Sequence, residues 1–589
     1  MSLDDLDIRS LPVGHLPIIR ACLDQLGVFA VLDEHLPQHP QAHASDAECL
    51  AVMVLNILSG RVALWRMDQR FEHVDLELLL GDGVQASWFH DNRLGRALDH
   101  IDKVGTDTLL SEIVVRYLNR QDVGPFSVHL DHTSVSVYGV YDTDKGPTPA
   151  HGHSKDHRPD LKQLVYGLSL HGAVGIPLTM GVQSGNTSDN VANRDHLTKL
   201  VGLLPRPEDV TIVADCKLVD GETLGRLTHA GFHFVSLVPK TFRVREALID
   251  QAWEAEADVS AWPILASRPG AKKADPHQLY RGRSFTGSFA LELPTSKDAQ
   301  GAPSVEELRC VVVHSDALVE AFDQSLPGKL EREGEELAKT HRGVLAKEYA
   351  CEADARNAVI PLLKRLRWHT ATVNVEQKEV VEKRARRGRP PKDAPPPATR
   401  TVFVPTVTLA PDDEAIAAGR RRASCFVLVT DWADDEWSDA RVLDEYRHQS
   451  LVEGHTGFRW LKGPAAVAPV FLETPTRIRA LGFVFMIALM VRNYIQFTLR
   501  RQMKERNRPV RHPFRNKPDD KLTTEMALVW FDGVTSLALR MPGAAWKRRP
   551  TKLPDEAVDV LELLGIDKEV FTRPPVRRNS GVVCRGPLE

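Results

Sequence analysis

The sequence predicts an α/β fold: a mixed sheet flanked by helices, with a helical N-terminal region and a large insertion. Three stretches carry that prediction. Residues 126–138 alternate, with Phe126, Val128 and Leu130 facing one way and Ser127, His129 and Asp131 the other, the period of a strand. Residues 210–215 are nearly continuously apolar before the closing Asp215, as in a central strand buried on both faces. Residues 425–430 are a short β-branched run, followed by an acidic, Trp-containing turn and a helical stretch at 441–453.

At 589 residues the chain is too long for one core. The expected divisions are a helical domain at 1–122, a catalytic core in two parts at 123–240 and 423–510, an insertion at 241–422, and a C-terminal DNA-contact or dimerisation region at 511–589. Seven scattered cysteines without a Cys-x-x-Cys pair suit a reducing cytoplasm and argue against structural zinc. The start lacks the features of a signal peptide, and the longest apolar run, 481–491, is too short for a bilayer, so no membrane role is expected. A net charge of −4 conceals segregation: residues 500–517 hold eight Arg or Lys against the single acid Glu505, which suits either phosphate contact or a solvated helix end.

In chain order, residues 16–36 have helical apolar spacing, and Ser45 with Glu48 makes a capping box ahead of a helix ending near Leu58 and Gly60. Helices are expected at 91–101 and 106–118, with arginines at 61, 66, 70, 93 and 96 able to touch DNA. Strands follow at 164–170, 177–182 and 232–238. Within the insertion, strand-like runs occur at 284–293 and 308–313, with helical patterns at 316–367. Arg387-Gly388-Arg389-Pro390 lies in a basic, Pro-rich stretch that reads either as a minor-groove hook or as a charged linker. Residues 475–503 form a long apolar helix of core character, 523–539 one amphipathic segment, and 557–564 a Leu-rich piece.

Two strands that each end their apolar run in aspartate, plus one helix carboxylate, make an oxygen donor set suited to hard divalent cations and to in-line phosphoryl displacement. On the helical wheel Tyr446 and Gln449 fall within roughly 40° of Glu453, joining a phenol, an amide and a carboxylate on one face. Asp189, Asp195 and Asp220 are competing carboxylates in turn or capping contexts. Residues 151–163 place three histidines among Lys155, Arg158 and Lys162, a pattern read as DNA-backbone contact in preference to zinc.

Asp131-His-Thr133, Asp215, and Tyr446-x-x-Gln449-x-x-x-Glu453 followed by Phe458-Arg459-Trp460-Leu-Lys462 together resemble the DDE transposases of bacterial insertion sequences. The similar branch carries a Tyr-Arg-Glu-Lys signature helix and a β-rich insertion. The resemblance, which spans residues 16 to about 500, implies an RNase H-like fold that cuts element ends and joins their 3′-hydroxyls to target DNA. It implies Asp131, Asp215 and Glu453 as catalytic ligands of Mg²⁺, with Mn²⁺ as a substitute. Tyr446, Gln449, Arg459, Lys462, Lys155, Arg158, Lys162, Arg387 and Arg389 would contact DNA, and Trp460 would stack on an unpaired base. The partners implied are double-stranded DNA, as terminal repeats and target, and a second copy of the chain in the DNA complex, in the bacterial cytoplasm at the nucleoid. Two departures stand: Gln449 replaces the signature arginine, and Lys462 lies nine residues after Glu453 where the pattern has seven, the position of Trp460 here. A straight helix would put Lys462 about 180° from Glu453, so a bulge or break near Gly454 and Gly457 is expected. Alternatives from the residues are a nuclease without strand transfer, a catalytically inactive DNA-binding protein, and a phosphohydrolase of small substrates.

Overall fold

A computed structural model describes residues 7–36, 41–120, 124–137, 147–152, 158, 160–204, 206–269, 277–292, 304–340, 342–381, 398–453, 456–463, 472, 474–541 and 546–577. Lys155, Arg387 and Arg389 lie outside the described residues.

The fold is α/β, with a large mixed sheet flanked by helices. Among the described residues, nine strands form that sheet, in the order Pro177–Ser184, Lys162–His171, Phe126–Val137, Val210–Ala214, His233–Leu237, Cys425–Thr430, Ser304–Ser315, Gln278–Leu291, Ile264–Arg268. Val210–Ala214 runs parallel to both neighbours, Phe126–Val137 and His233–Leu237. All its residues are buried, as the continuous apolar run demands. The remaining pairings are antiparallel.

The hydrogen bonding departs from an insertion beginning at residue 241. Gln278–Leu291 and Ser304–Ser315 pair along their lengths, and Cys425–Thr430 closes on Ser304–Ser315 on one side and His233–Leu237 on the other. The first strands of the expected insertion therefore extend the central sheet. The cause is in the side chains: Cys310, Val311, Val312 and Val313 are fully buried, a fully covered run that an exposed edge could not carry. Outside the sheet are the helices Asp316–Thr340 and Glu352–Leu363, the antiparallel hairpin His369–Val381 with Thr399–Pro411, and the helix Asp413–Ala423.

The N-terminal helices are likewise not separate. The predicted capping box forms: the Ser45 hydroxyl accepts from the Glu48 amide at 3.0 Å, and the Glu48 carboxylate accepts from the Ser45 amide at 2.7 Å, opening the helix Asp46–Leu58. Residues 16–36 split into Leu16–Gln25 and Val28–His35, because Gly27 takes a left-handed φ of 77°. Leu16–Gln25 and Asp46–Leu58, with Asp91–Val104 and Thr106–Leu118, pack on the long helix Pro475–Glu505, and Val28–His35 packs on its N-terminal neighbours. Arg477 and Arg479 clamp that helix by bidentate pairs to Asp99 (2.8 and 2.7 Å) and Asp102 (2.7 and 2.9 Å). The long helix has the length and apolarity of a bilayer span, yet the most apolar part of it is 89% buried by the rest of the chain, as its reading as core predicts. One hydrophobic core runs from Val13 to Phe571 through both the helical region and the sheet.

The amphipathic segment at 523–539 is not one element. It divides into a helix, Thr524–Val529, and a strand, Thr535–Arg540, around Gly533 at φ 80°. That strand pairs with Asp7–Pro12 on one side and Lys547–Pro550 on the other. Arg548, 6% exposed, crosses from the last strand to Asp75 (2.9 Å) and Glu77 (2.8 Å), and Asp75 also caps the helix Leu76–Leu80 through the Leu78 amide. Removing one partner leaves the other charge buried and uncompensated. Arg548→Ala should lower unfolding stability by about 3–5 kcal/mol, read as a shift in the urea-denaturation midpoint.

Candidate active site

The site begins with a register. Leu130 is paired with Ala214 in the parallel ladder, so the next residues, Asp131 within its strand and Asp215 just past the end of the other, stand at the same level. Neighbouring strands are about 4.8 Å apart, and residues at one level point to one face. Both aspartates are half-buried. Each carboxylate is steered by local backbone: Asp131 Oδ1 accepts from the His132 amide at 2.7 Å, and Asp215 Oδ1 accepts from the Lys217 amide at 2.9 Å. Asp220 is instead the N-cap of Gly221–Ala230, accepting from the Thr223 amide at 2.9 Å, and Asp195 accepts from Gln183 at 3.1 Å. Those two competitors have structural duties of their own.

The helical segment expected at 441–453 packs across the sheet and reaches the Asp131 strand at its end. It forms two helices, Asp439–Arg447 and Ser450–Glu453, joined by tight steps in which the Gln449 amide donates to Tyr446 O and the Val452 amide to Gln449 O. These steps interrupt the α-helical phase between Glu445 and Glu453, so each side chain is placed by its own contacts. Glu445 Oε1 lies 3.3 Å from Nε2 of the fully buried His129. One turn on, Gln449 Nε2 donates to the Leu130 carbonyl at 2.7 Å. Gln449 thus reaches the residue before Asp131, and Glu453, exposed, closes the short helix that packs on Phe126–Val137 and Lys162–His171. Burial pushes the Tyr446 phenol pKa up, and the nearby charges of Asp215 and Glu453 push it the same way.

Two expected roles are corrected here. Gln449 is 5% exposed and spends its amide on the strand backbone, so it positions Leu130 and Asp131 and does not face DNA. Trp460 is 3% exposed, with the Arg492 guanidinium 5.4 Å from its ring centre, and offers no face to a base. Hydrophobic packing takes it inward with Phe458 and Leu461. The expected break after Glu453 is present: the next helix is Phe458–Lys462, which leaves Arg459 exposed and Lys462 half-buried. Gly457 is required at that corner, since a Cβ there would sit 1.9 Å from the Val452 carbonyl oxygen. Arg158 is exposed and forks onto Asp160 at 2.9 and 2.7 Å, and Lys162 opens its strand opposite Val137.

The sequence analysis missed three residues that build the site. His129 and Glu445 form the pair beneath Asp131. Their traces were the face His129 shares with Asp131 and the four-residue spacing from Glu445 to Gln449. Asn493, fully buried on the long helix, donates to Thr456 O at 2.8 Å and Gly175 O at 2.6 Å, holding the turn after Glu453 against the sheet. Nothing in its local sequence marked it.

For a hard cation the donor chemistry fits: two level aspartate oxygens on adjacent strands and an exposed glutamate approaching from the helix. Among the described residues, however, no three His, Cys, Asp or Glu side chains converge closely enough to hold a metal ion as they stand.

Residues 7–115 match a family model described as a domain of unknown function, DUF4277. No curated protein matches the chain. Among solved structures, the chain is similar to one described as the cryo-EM structure of a piggyBac transposase synaptic complex with hairpin DNA. The TM-score is 0.25 and the identity 8%, and the match spans 50% of this chain and 66% of that one, just short of two thirds of its length.

Two predictions separate these roles. Gln449→Leu should cost about 1–3 kcal/mol of stability, the penalty for an unpaired buried carbonyl; a phosphate contact would instead weaken DNA binding and leave the melting temperature unchanged. At Glu445, burial raises the pKa, but hydrogen bonds to His129 and Ser127 outweigh it and hold the carboxyl below its ordinary value. The stability it adds is present above the unfolded value of about 4.3 and is lost as pH falls through the folded one. Glu445→Gln should therefore flatten the acid side of a plot of melting temperature against pH.

Proposed function

We propose that this chain is a DDE-type DNA transposase with an RNase H-like core. It binds the ends of its own element, cleaves phosphodiester bonds there, and transfers the 3′ ends to target DNA. The observation that carries the reading is the level pair Asp131 and Asp215 on adjacent parallel strands, with Gln449 bonded to the residue before Asp131 and Glu453 on the short helix that packs on the same strand.

Asp131, Asp215 and Glu453 would hold Mg²⁺ or Mn²⁺, and the bound ions would supply polarisation of the scissile phosphate and a nucleophile at neutral pH. The rest belongs to the chain. The Asp131 and Asp215 carboxylates are pre-oriented by the His132 and Lys217 amides. Gln449 fixes the backbone beneath Asp131. The Tyr446 hydroxyl, protonated at neutral pH like any phenol, would donate to a phosphate oxygen. Arg459 and Lys462, beyond the Gly457 corner, supply positive charge for the terminal phosphates. The complex would contain two copies of the chain on paired ends.

The test is strand cleavage and joining on DNA carrying the sequence that flanks the protein's own gene, with Mg²⁺ or Mn²⁺. Asp131→Ala and Glu453→Ala should each reduce cleavage by at least about 10²-fold while retaining DNA binding. Cutting without joined products would make the chain a nuclease, and tight binding without cutting by wild type would make it an inactive DNA-binding protein. Undiminished cleavage by folded Asp131→Ala would remove the assignment.

A further inference from the structure

The long helix Pro475–Glu505 ends in a feature the catalytic reading does not use. Residues Val510–Arg511 and Pro518–Asp519 pair as a short antiparallel hairpin, and its tip carries Phe514 at 73% exposure. So large an aromatic surface in water carries a standing hydrophobic cost. The tip is nevertheless held in one shape. His512, 4% exposed, accepts at Nδ1 from the Phe514 amide (3.1 Å) and the Arg515 amide (3.2 Å), and its own amide donates to Lys517 O at 2.8 Å. Asn516 completes the turn in the left-handed region at φ 51°.

The mount is fixed as well. Val510 is buried, Arg511 reaches Glu556 at 3.4 Å, and Arg508 pairs with Asp559 and, at 2.7 Å, with Glu562 on the helix Asp555–Leu564. Arg500 donates to Leu522 O and Lys521 O at 3.0 and 2.8 Å. These contacts absorb Arg500, Arg508 and Arg511 from the basic block. Arg515 and Lys517, exposed beside Phe514, form no ion pair among the described residues, and Lys504 and Arg506 are exposed at the helix end.

We propose that this hairpin is a DNA wedge. On that reading, Phe514 enters a base step of duplex DNA while Arg515 and Lys517 hold the flanking phosphates. The inference rests on the transposase reading for its substrate. Apolar wedges inserted between base pairs unstack and kink the duplex, and a rigid, cation-flanked aromatic is suited to that work. A lipid surface is the weaker fit, because one phenylalanine buries too little area to anchor a protein of this size. The placement also suits DNA: Asn493 touches the turn after Glu453, and twelve more residues of helix, about 18 Å, lead to Glu505 and the hairpin. One duplex can reach both places.

The experiment uses full-length protein and duplexes of the sequence flanking its own gene, each with 2-aminopurine at one position. Wild type should raise the fluorescence at one step, and Phe514→Ala should abolish that rise and weaken binding by between about five- and a hundred-fold. Arg515→Ala with Lys517→Ala should lower the salt slope of log K by about 2 and leave the position of the rise unchanged. Phe514→Ala indistinguishable from wild type in fluorescence, affinity and salt slope overturns the wedge, and leaves the catalytic reading to the Asp131→Ala assay. A wild type that binds no duplex overturns both. Loss of self-association or of anionic-vesicle binding in Phe514→Ala, with an unchanged 2-aminopurine signal, assigns the tip to another partner and overturns the wedge.

Discussion

The parallel pairing of Leu130 with Ala214 is the constraint on which the site depends. Side chains alternate along a strand, so a slip of one residue would turn Asp131 to the opposite face and carry His129 with it. The register is held by burial on both sides. Val128, Leu130, Ile212 and Ala214 are each at most 1% exposed. The two aspartates are therefore placed by hydrophobic residues of the strands that carry them. Gln449 uses the same ladder from outside, bonding the Leu130 carbonyl, so the helix inherits its position from the strand.

A second constraint comes from the long helix. Arg477 and Arg479 fix its first turns to the N-terminal helices, Asn493 fixes its middle to Gly175 and Thr456, and Arg492 pairs with Glu525 at 2.6 Å. The N-terminal region and the turn after Glu453 are thus attached to the same rod. A polar group as buried as Asn493 stays there because both of its donated bonds are made.

Elements whose evidence is local were legible in the sequence. The alternation at 126–137, the apolar run at 210–214 and the Ser45 capping box each depend on neighbouring residues alone, and each appears where expected. The level placement of the two aspartates follows from strands that were legible, although their pairing was not. What sequence reasoning missed is decided at a distance. The strands at 278–291 and 304–315 have the same local pattern whether they build a separate domain or extend the central sheet, and only the partner at 425–430 distinguishes the two. Gln449 and Trp460 have side chains suited to DNA, and tertiary packing turned both inward. The break after Glu453 was visible because glycine is a local cue; the 1.9 Å approach to Val452 that requires it was not.

The strand Asp7–Pro12 finds its hydrogen-bonding partner at Thr535–Arg540, and Gln25 donates to Leu564 O at 3.2 Å. During synthesis at about 5–20 residues per second, that partner leaves the ribosome roughly 30 to 100 seconds after the first strand does. Throughout that interval the first strand has an open edge, and the helices that follow lack the apolar rod they pack against. The arrangement ties completion of the N-terminal region to completion of the chain. A nascent protein that already carries its aspartates and its glutamate still lacks the closing sheet at the other end, so assembly of the whole body comes last.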